Sequence, residues 1–282
     1  YMFQINWKLK SLLYNIFGFL NLKNIFYLCQ KYITKRSRVD ISQISDVWKF
    51  HSKIIKNNNI NSLLEVGAGK SLEQNIYFSY LFKNKICQTA IDINNMIDLE
   101  LANEASIQIS KLLKTDFLGD IKNLKDLKAQ YNIEYKAPMS TTNLLQAKLD
   151  YDLCVSSTAL EHFTKEDLST YLLDLKKIIK KDGLISSAID YSDHYSHTDN
   201  SISRLNFLKF SEKKWKKYNN SFLYQNRLRH RHYVDLFKKF NYEIIEEVKS
   251  EIIDPPKNLN EQYENANKDN FILWGYFLIK NT

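Results

Sequence analysis

Cysteine is scarce in this sequence, and long uninterrupted apolar runs are missing from it. The 282 residues include three cysteines, Cys29, Cys87 and Cys154. They are widely spaced, and two of them stand in apolar runs that predict buried strands, so neither a disulfide framework nor a zinc knuckle is indicated. The cysteine pattern therefore favours a reducing cytoplasm.

The N-terminal stretch is apolar, but it is too interrupted to predict a membrane-spanning helix. A span needs about 20 consecutive apolar residues. Here the run from Trp7 to Ile33 is broken by polar residues and a glycine: Asn15, Gly18, Asn21, Lys23 and Asn24. A small-residue cleavage site of the kind that ends a signal peptide is also missing. We expect a cytoplasmic protein, either free or peripheral at the inner face of the membrane.

Positive charge is in excess over the whole chain. The formal net charge is +8 and the isoelectric point is near 9.1. This balance favours an acidic partner, such as a phosphorylated sugar, nucleic acid or an anionic membrane surface, without choosing among them. Abundant lysine, asparagine and isoleucine equally fit a bias in genome composition.

Residues 1–43 are predicted to form an amphipathic helical extension. Apolar side chains recur at helical spacing with Lys8 and Lys10 nearby, and these are Leu9, Leu12, Leu13, Ile16, Phe17 and Leu20. Such a helix could bind a membrane surface. We favour a helix packed on the rest of the protein or on a second subunit, because amphipathicity more often reflects packing.

Residues 44–282 alternate between strand and helix patterns. Short apolar runs predict strands over 62–66, 88–93, 133–138, 151–155 and 184–190, and two more over 242–248 and 271–280. Ser71 is predicted to cap a helix over 71–82, and Thr164 a helix over 165–180. This alternation predicts a largely parallel sheet with helices on both faces. Residues 192–230 have no clean period and are predicted to form a substrate cap after the fifth strand.

The first strand runs into a turn with two glycines, Gly67 and Gly69. Such a turn lets backbone N–H groups approach a ligand closely. Asp92 closes the next strand about 20 residues on, where an acid binds ribose hydroxyls in nucleotide-binding α/β folds. A dinucleotide fingerprint would need a small residue where Glu73 stands. We therefore predict a nucleoside-type cofactor and disfavour hydride transfer.

Several segments together resemble class I S-adenosylmethionine-dependent methyltransferases over about residues 44–282. They are the glycine turn preceded by Glu65, the acid Asp92, the strand and loop over 152–162, the turn over 180–183 and the final pair of strands. Residues 157–162 are similar to the S-x-x-L-E-H signature of one broad branch. Residues 190–197 and 225–229 look like a bacterial subgroup associated with surface-polysaccharide synthesis.

The resemblance implies a Rossmann-like sheet of seven strands with the last one antiparallel, and S-adenosylmethionine as cofactor with S-adenosylhomocysteine as product. It also implies O-methyl transfer to a sugar, a nucleotide-linked sugar or a related surface-glycan precursor. The glycine turn would contact the methionine part of the cofactor, Asp92 its ribose, and Glu65 the loop and the amino group. Met139, Ser140 or Thr141 would lie at the adenine. Asp116 is an alternative residue at the adenine only if the third strand has been predicted at the wrong position.

The predicted cofactor residues comprise ten positions: Glu65, Gly67, Ala68, Gly69, Asp92, Ile93, Ser140, Thr141, Ser156 and His162. The loops after the fourth and fifth strands are expected to face the transferred methyl, because ligands bind at the carboxyl ends of the strands. Methylating a hydroxyl needs a base, and the candidates are His194, Asp193 and His162. We favour His194, which directly follows the fifth strand, with Asp193 orienting its ring.

The acceptor is predicted to bind residues of the cap, since arginine forks suit phosphate or carboxylate oxygens. These residues are His197, Arg204, Asn206, Gln225, Asn226, Arg227 and Arg229. We expect no metal, although Asp190, Asp193, His194 and His197 together resemble a set of oxygen and nitrogen ligands.

Two other functions stay open. An RNA methyltransferase would fit the positive charge, but no RNA-binding module or N-P-P-Y-type loop is present, so a nucleic-acid partner is disfavoured. A cofactor-binding but inactive scaffold, paired with another enzyme through the N-terminal helices, is the other alternative. Independently of the function, the same helices could form a homodimer.

Overall fold

A single mixed sheet forms the centre of the molecule. The computed structural model describes residues 4–20, 22–33, 38–147, 149–264 and 267–282. Asn21, one of the residues that interrupt the apolar N-terminal run, lies outside them. In this described part the strands are β1 (Ser62–Val66), β2 (Cys87–Ile91), β3 (Ile133–Lys136), β4 (Tyr151–Ser157), β5 (Ile179–Asp190), β6 (Tyr242–Lys249) and β7 (Trp274–Asn281).

The spatial order of the strands is β3-β2-β1-β4-β5-β7-β6. Strands β1 to β5 pair in parallel, whereas β7 is antiparallel to both of its neighbours, β5 and β6. This confirms the predicted Rossmann-like sheet of seven strands with an antiparallel last strand. The chain reverses its direction of travel across the sheet between β1 and β4, and ligands bind at the strand ends of such switch points.

Helices cover both faces of this sheet and extend beyond it. They are α1 (Trp7–Phe19), α2 (Lys23–Leu28), α3 (Asp46–Asn57), α4 (Glu73–Leu81), α5 (Leu99–Leu113), α6 (Leu124–Tyr131), α7 (Thr141–Leu144), α8 (Lys165–Ile178), α9 (Glu212–Trp215), α10 (His230–Lys239) and α11 (Glu261–Glu264). Side chains alternate between the faces of a strand, so Leu63 packs toward α3 to α6 and Leu64 toward α7, α8 and α10.

Two local predictions need correction. Ser71 does not cap α4, because the helix begins at Glu73 and its preceding residue Leu72 has a left-handed backbone with φ 50°. The Ser71 hydroxyl instead donates to the Glu73 carboxylate. Helix α8 ends at Ile178 and β5 begins at Ile179, so the turn predicted over 180–183 lies inside the strand's bounds.

The third strand lies where the sequence predicted it. Strand β3 pairs in parallel with β2 from Ile133 to Lys136. Asp116 lies in the segment between α5 and α6. The alternative that placed Asp116 at the adenine is therefore excluded by the strand order.

Helix α1 packs on the cap that follows β5, as we favoured, but with a different face from the one predicted. Its buried residues are Trp7, Lys10, Ser11 and Tyr14, and Trp7 packs edge-on against Tyr218 of the cap. The leucines and isoleucine whose spacing predicted the helix stay largely exposed. Among the described residues, no helix combines the length and apolar character that crossing a bilayer requires.

Candidate functional site

The glycine turn after β1 is tightly packed on one side and open on the other. Gly67 has φ 85° and Gly69 has φ 71°, a left-handed region that favours glycine. A Cβ on Gly67 would lie 2.5 Å from the Ala159 Cβ. A Cβ on Gly69 would meet no described atom within 4 Å. The turn is pinned by N–H groups of Gly67 and Ala68 that donate to the Ile91 carbonyl, so its open side can approach a ligand.

Asp92 lies at the carboxyl end of β2 and faces this turn. Its carboxylate accepts hydrogen bonds from the backbone N–H groups of Gly69 and Asn94. Burial raises the pKa of Asp92, although these backbone donors lower it. The carboxylate is thus held in place at the edge of a pocket, where it can accept hydrogen bonds from a ligand's hydroxyl groups.

The pocket at the switch point brings together six of the predicted cofactor residues. They are Gly67, Asp92, Ile93, Ser140, Thr141 and His162. Met139, also predicted at the adenine, lies in the same wall. The other predicted positions, Glu65, Ala68, Gly69 and Ser156, do not line it. Ser156 is fully buried, and its hydroxyl has no hydrogen-bond partner in the part of the chain described.

A buried polar chain lies beneath the glycine turn. Gln74 donates to the Glu65 carboxylate and accepts from the Ser157 hydroxyl, and His51 bridges Ser157 and Ser186 with its two ring nitrogens. Burial lowers the pKa of His51 to about 3, so this imidazole is neutral near pH 7. Sequence reasoning did not identify His51, because nothing in an amphipathic helix marks one histidine as buried against the sheet.

Burial and the nearby charge of Asp92 raise the pKa of Glu65 to about 8. The second carboxylate oxygen of Glu65, Oε2, has no hydrogen-bond partner among the described residues. Polar atoms buried without a partner are costly and rare in native proteins. A cationic group placed near the turn would therefore be stabilised by this carboxylate.

Three imidazoles form a row from this pocket to the protein surface. The His162 and His194 ring centroids are 5.0 Å apart, and the His194 and His197 centroids are also 5.0 Å apart. Burial lowers the pKa of His162. The Asp190 carboxylate lies 3.3 Å from Nε2 of His194 and 3.7 Å from Nε2 of His197. The structure thus joins His162 and His194, two of the three predicted bases, at one wall.

Asp193 points away from this row. It is fully buried, and its carboxylate accepts from the Tyr195 N–H and the Asn206 side-chain amide. Burial raises the pKa of Asp193 to about 6. Asp193 and Asn206 therefore hold the start of the cap together, and Asp193 does not join the other three predicted metal ligands.

Glu161 lies beside the imidazoles and was given no role from the sequence. The side chain is buried, with 3% of its surface exposed. Neither carboxylate oxygen makes a well-formed hydrogen bond within the described residues. Burial raises the pKa of Glu161 well above its usual value, although the backbone N–H groups of Glu161 and Asp190 lower it. The S-x-x-L-E-H signature contained this residue, but spacing alone does not show that it turns inward.

Gln225 and Asn226 hold the two loops that carry this group of residues. The Gln225 amide accepts from the His194 N–H and donates to the Ser192 carbonyl after β5. The Asn226 amide donates to two carbonyls in the loop 160–163 after β4. Both side chains therefore fix the relative position of the loops, and Asn226 also lines a surface pocket beside Tyr224.

Arg227 and Arg229 are also inside the cap. Arg229 is fully buried, and its guanidinium donates to three backbone carbonyls. Arg227 donates to two backbone carbonyls and forms an ion pair with Glu212. Arginines engaged in this way stabilise the cap. Arg227 also lines a surface pocket with Glu212 and Tyr263, so an acceptor contact for Arg227 stays a prediction, whereas the burial of Arg229 does not agree with one.

His197 and Arg204 remain at the surface and line a shared groove. Gln4 and Asn200 complete part of its wall. Arg204 is exposed, so its guanidinium is available to an anionic group. Of the seven predicted acceptor residues, these two lie where a molecule approaching the imidazole row would meet them.

The sequence matches no family model and no curated protein. Among solved structures, the chain is similar to an S-adenosylmethionine-dependent methyltransferase from Methanosarcina mazei. The two sequences are 14% identical, the match covers 80% of this chain and 96% of that chain, and the TM-score is 0.47. A second, from Clostridium acetobutylicum, has 13% identity, coverage of 92% and 98%, and a TM-score of 0.45. TehB from Haemophilus influenzae has 13% identity, a TM-score of 0.45 and coverage of 91% of this chain and 66% of its own. At these identities and scores the likenesses establish no activity.

Proposed function

We propose that this protein transfers a methyl group from S-adenosylmethionine to an oxygen of a sugar, a nucleotide-linked sugar or a related surface-glycan precursor. One observation carries the cofactor assignment. The open glycine turn and the fixed Asp92 carboxylate meet in one pocket, at the switch point of the sheet.

The charges around the pocket favour this cofactor over NAD or ATP. Two carboxylates, Glu65 and Asp92, lie at or beneath the glycine turn. An ammonium group would be stabilised by the ionised form of Glu65 and ribose hydroxyls by Asp92, whereas a pyrophosphate placed on the same turn would be repelled by the charge of Asp92. Asp92 would accept from the ribose hydroxyls, and Met139, Ser140 and Thr141 would flank the adenine.

The bound cofactor supplies a methyl carbon activated by a sulfonium. The acceptor oxygen forms the new bond to this carbon as the carbon–sulfur bond breaks, and the hydroxyl proton must leave the oxygen. His162 lines the cofactor pocket and His194 lies next to it. The imidazole row therefore marks the side from which the acceptor enters.

The groove at the end of the row suits an acceptor with an anionic group. Arg204 lies there beside His197, and an arginine fork matches phosphate oxygens. A phosphorylated or nucleotide-linked sugar would then have its charged part at Arg204 and a hydroxyl toward His194. The net charge of +8 is consistent with such an acceptor.

Calorimetric titration with S-adenosylhomocysteine tests the cofactor assignment, with NAD and ATP as comparison ligands. We expect micromolar binding of S-adenosylhomocysteine alone. The His194→Ala variant should keep this affinity, within about twofold, and lose transfer of labelled methyl to a panel of nucleotide sugars, because His194 lies on the acceptor side.

Binding of NAD or ATP in place of S-adenosylhomocysteine would refute the proposal. Cofactor binding without transfer to any nucleotide sugar or phosphorylated sugar in the wild-type protein would favour the inactive scaffold. Unchanged transfer by His194→Ala would remove this histidine from the mechanism.

A further inference from the structure

Glu161, His162 and His194 converge on one point. One ligand atom from each lies within 4.8 Å of the other two, a spacing compatible with a shared metal ion. Glu161 and His162 come from the loop after β4, and His194 from the loop after β5. This set differs from the four residues whose spacing suggested a metal site in the sequence.

Two of these side chains carry polar atoms that lack a well-formed hydrogen bond in the part of the chain that the structure describes, and the Asp190 carboxylate lies 3.3 Å from the His194 ring nitrogen Nε2. Both Glu161 oxygens lack a well-formed hydrogen bond inside the described ranges, and so does Nε2 of His194. The Glu161 side chain is more than nine-tenths buried. Buried polar groups without partners call for an explanation such as an ion, and a cation between these atoms would supply the missing partner to all of them.

The tautomer of His162 also fits a metal ligand. Its Nδ1 lies 2.6 Å from the Tyr224 carbonyl oxygen, which can only accept a hydrogen bond. Nδ1 therefore carries the proton, and Nε2 is left with a lone pair. Metal-binding histidines are typically oriented in this way by a carbonyl or carboxylate on the other ring nitrogen.

The two loops are held together before any ligand arrives. Gln225 fixes the backbone at His194, and Asn226 fixes the loop that carries Glu161 and His162. Such outer contacts keep metal ligands at the required separation.

We propose that Glu161, His162 and His194 bind one divalent first-row transition metal ion, such as Zn²⁺. Two imidazoles and one carboxylate match the ligands of zinc and its neighbours, whereas Mg²⁺ and Ca²⁺ prefer oxygen ligands alone. The Asp190 carboxylate, 3.3 Å from the His194 ring, is the nearest additional oxygen ligand.

The consequence for catalysis rests on the proposed methyl transfer. Because His162 lines the cofactor pocket, the ion would lie beside the transferred methyl and could bind the acceptor hydroxyl. A metal-bound hydroxyl loses its proton more easily. His194 would then act as a ligand and not as the base.

Metal binding is measured on tag-free protein that has been stripped with a chelator, by competition with a chromophoric Zn²⁺ indicator. We expect one equivalent of Zn²⁺ at micromolar affinity or tighter and no competition by Mg²⁺. Glu161→Gln and His194→Ala should each weaken Zn²⁺ binding by roughly 100-fold, because each removes a ligand. His232→Gln is the control, since it removes an exposed histidine outside the cluster and should leave the affinity unchanged.

Co²⁺ absorption and the cofactor titration complete the experiment. Bound Co²⁺ should give d–d bands in wild-type protein that disappear in Glu161→Gln. Equal Zn²⁺ affinity in wild-type protein and Glu161→Gln would overturn the proposal, as would no binding at all. S-adenosylhomocysteine binding by the same stripped protein and variants reports folding and the cofactor site separately, so a failure of the metal site is distinguished from a failure of the proposed function.

The outward face of α1 is a second candidate interaction surface, and it is independent of the metal site. Apolar side chains on this face are between 37% and 90% exposed: Leu9, Leu12, Leu13, Ile16 and Phe19. In α2, Ile25 and Leu28 are each 50% exposed. Contiguous exposed apolar surface of this kind marks an interaction site.

Positive charge borders this face. The side chain of Asn15 in α1 donates to the Lys217 carbonyl, which places the end of α9 beside the helix. Lys217 and its neighbour Lys216 are exposed there, and Lys213 and Lys214 are exposed on α9 itself. An apolar helix face bordered by lysines complements the acyl and anionic headgroup layers of a phospholipid bilayer.

We infer that the outward face of α1 docks on an anionic phospholipid bilayer. Co-sedimentation with vesicles tests this inference. Binding is expected to phosphatidylcholine vesicles that contain phosphatidylglycerol, and to be at least about tenfold weaker with phosphatidylcholine alone or after Leu12→Glu with Ile16→Glu. Leu173→Glu is the matched control, because Leu173 is a 53% exposed leucine on α8.

Equal sedimentation of the double variant and wild-type protein would contradict membrane docking. Sedimentation-velocity analysis without vesicles tests whether a second copy of the protein binds this face instead. A wild-type dimer that the double variant converts to a monomer would assign the face to a second copy and overturn the inference.

Discussion

Replacing Asp92 with Ala is expected to weaken the binding of S-adenosylhomocysteine by roughly 100-fold or more, because a carboxylate that accepts from two hydroxyls contributes about 1.5–3 kcal/mol per hydrogen bond. The carboxylate is already held by the N–H groups of Gly69 and Asn94. It therefore meets the ribose without reorganising. Calorimetric titration of the variant measures the effect directly.

Two further variants separate this contact from folding. Asp92→Asn keeps the size of the side chain and an acceptor oxygen but loses the charge, and we expect a loss of roughly tenfold. Asp116→Ala removes an exposed acid between α5 and α6 and should leave the affinity unchanged. Thermal melts check that all three variants fold. An Asp92→Ala protein that melts like wild type and binds with wild-type affinity would refute the ribose assignment.

The sheet could be predicted from the sequence because its strands are short apolar runs with polar boundaries. Strand β1 has the predicted bounds, and every other strand begins and ends within three residues of its prediction except β5, which begins five residues earlier. The pattern of the last two strands predicted that they pair antiparallel, and β7 does pair antiparallel with β6. The predicted helix ends were less accurate. Ser71 is a residue type that suits an N-cap, but α4 begins after Leu72, which has a left-handed backbone.

The cap shows why residue type alone misled the prediction of acceptor contacts. Arginines and amides in an irregular segment resemble a binding surface, yet Arg229 and Gln225 are buried and satisfy backbone groups. An irregular loop cannot satisfy its own N–H and C=O groups, so buried side chains must do so. Sequence spacing does not reveal which polar residues have this task.

The environment of the buried titratable groups could not be predicted from the sequence either. Glu161 and His51 acquire their properties from long-range contacts across β4, β5 and α3. The signature around Glu161 placed it correctly after β4, but its burial beside His194 depends on the loop after β5. The metal-binding set therefore appeared only in the structure, whereas the glycine turn and Asp92 were visible in the sequence.

Replacing Glu65 with Gln is expected to stabilise the free protein at pH 8 by an amount on the order of 4 kcal/mol. Burial first, and then the charge of Asp92, raise the pKa of Glu65 from 4.5 to about 8. Below pH 4.5 the Glu65 carboxyl is protonated in both the folded and the unfolded state, so its ionisation does not change the free energy of unfolding. Between pH 4.5 and about 8 only the unfolded state ionises, so wild-type stability decreases as pH rises. A glutamine cannot ionise and removes this loss, so the two proteins should have equal stability near pH 4.

The same carboxyl predicts a proton linked to cofactor binding. At pH 7 a group with a pKa of about 8 is mostly protonated, and an ammonium group near the turn stabilises its ionised form. Binding of S-adenosylhomocysteine should therefore release close to one proton, seen as a calorimetric enthalpy that changes with the ionisation enthalpy of the buffer. Glu65→Gln should bind more weakly and release none. Glu134→Gln, at a half-exposed position of β3, should behave like wild type. A buffer-independent enthalpy in wild-type protein would mean that Glu65 stays protonated in the complex, and its carboxylate would then have no part in holding the amino group.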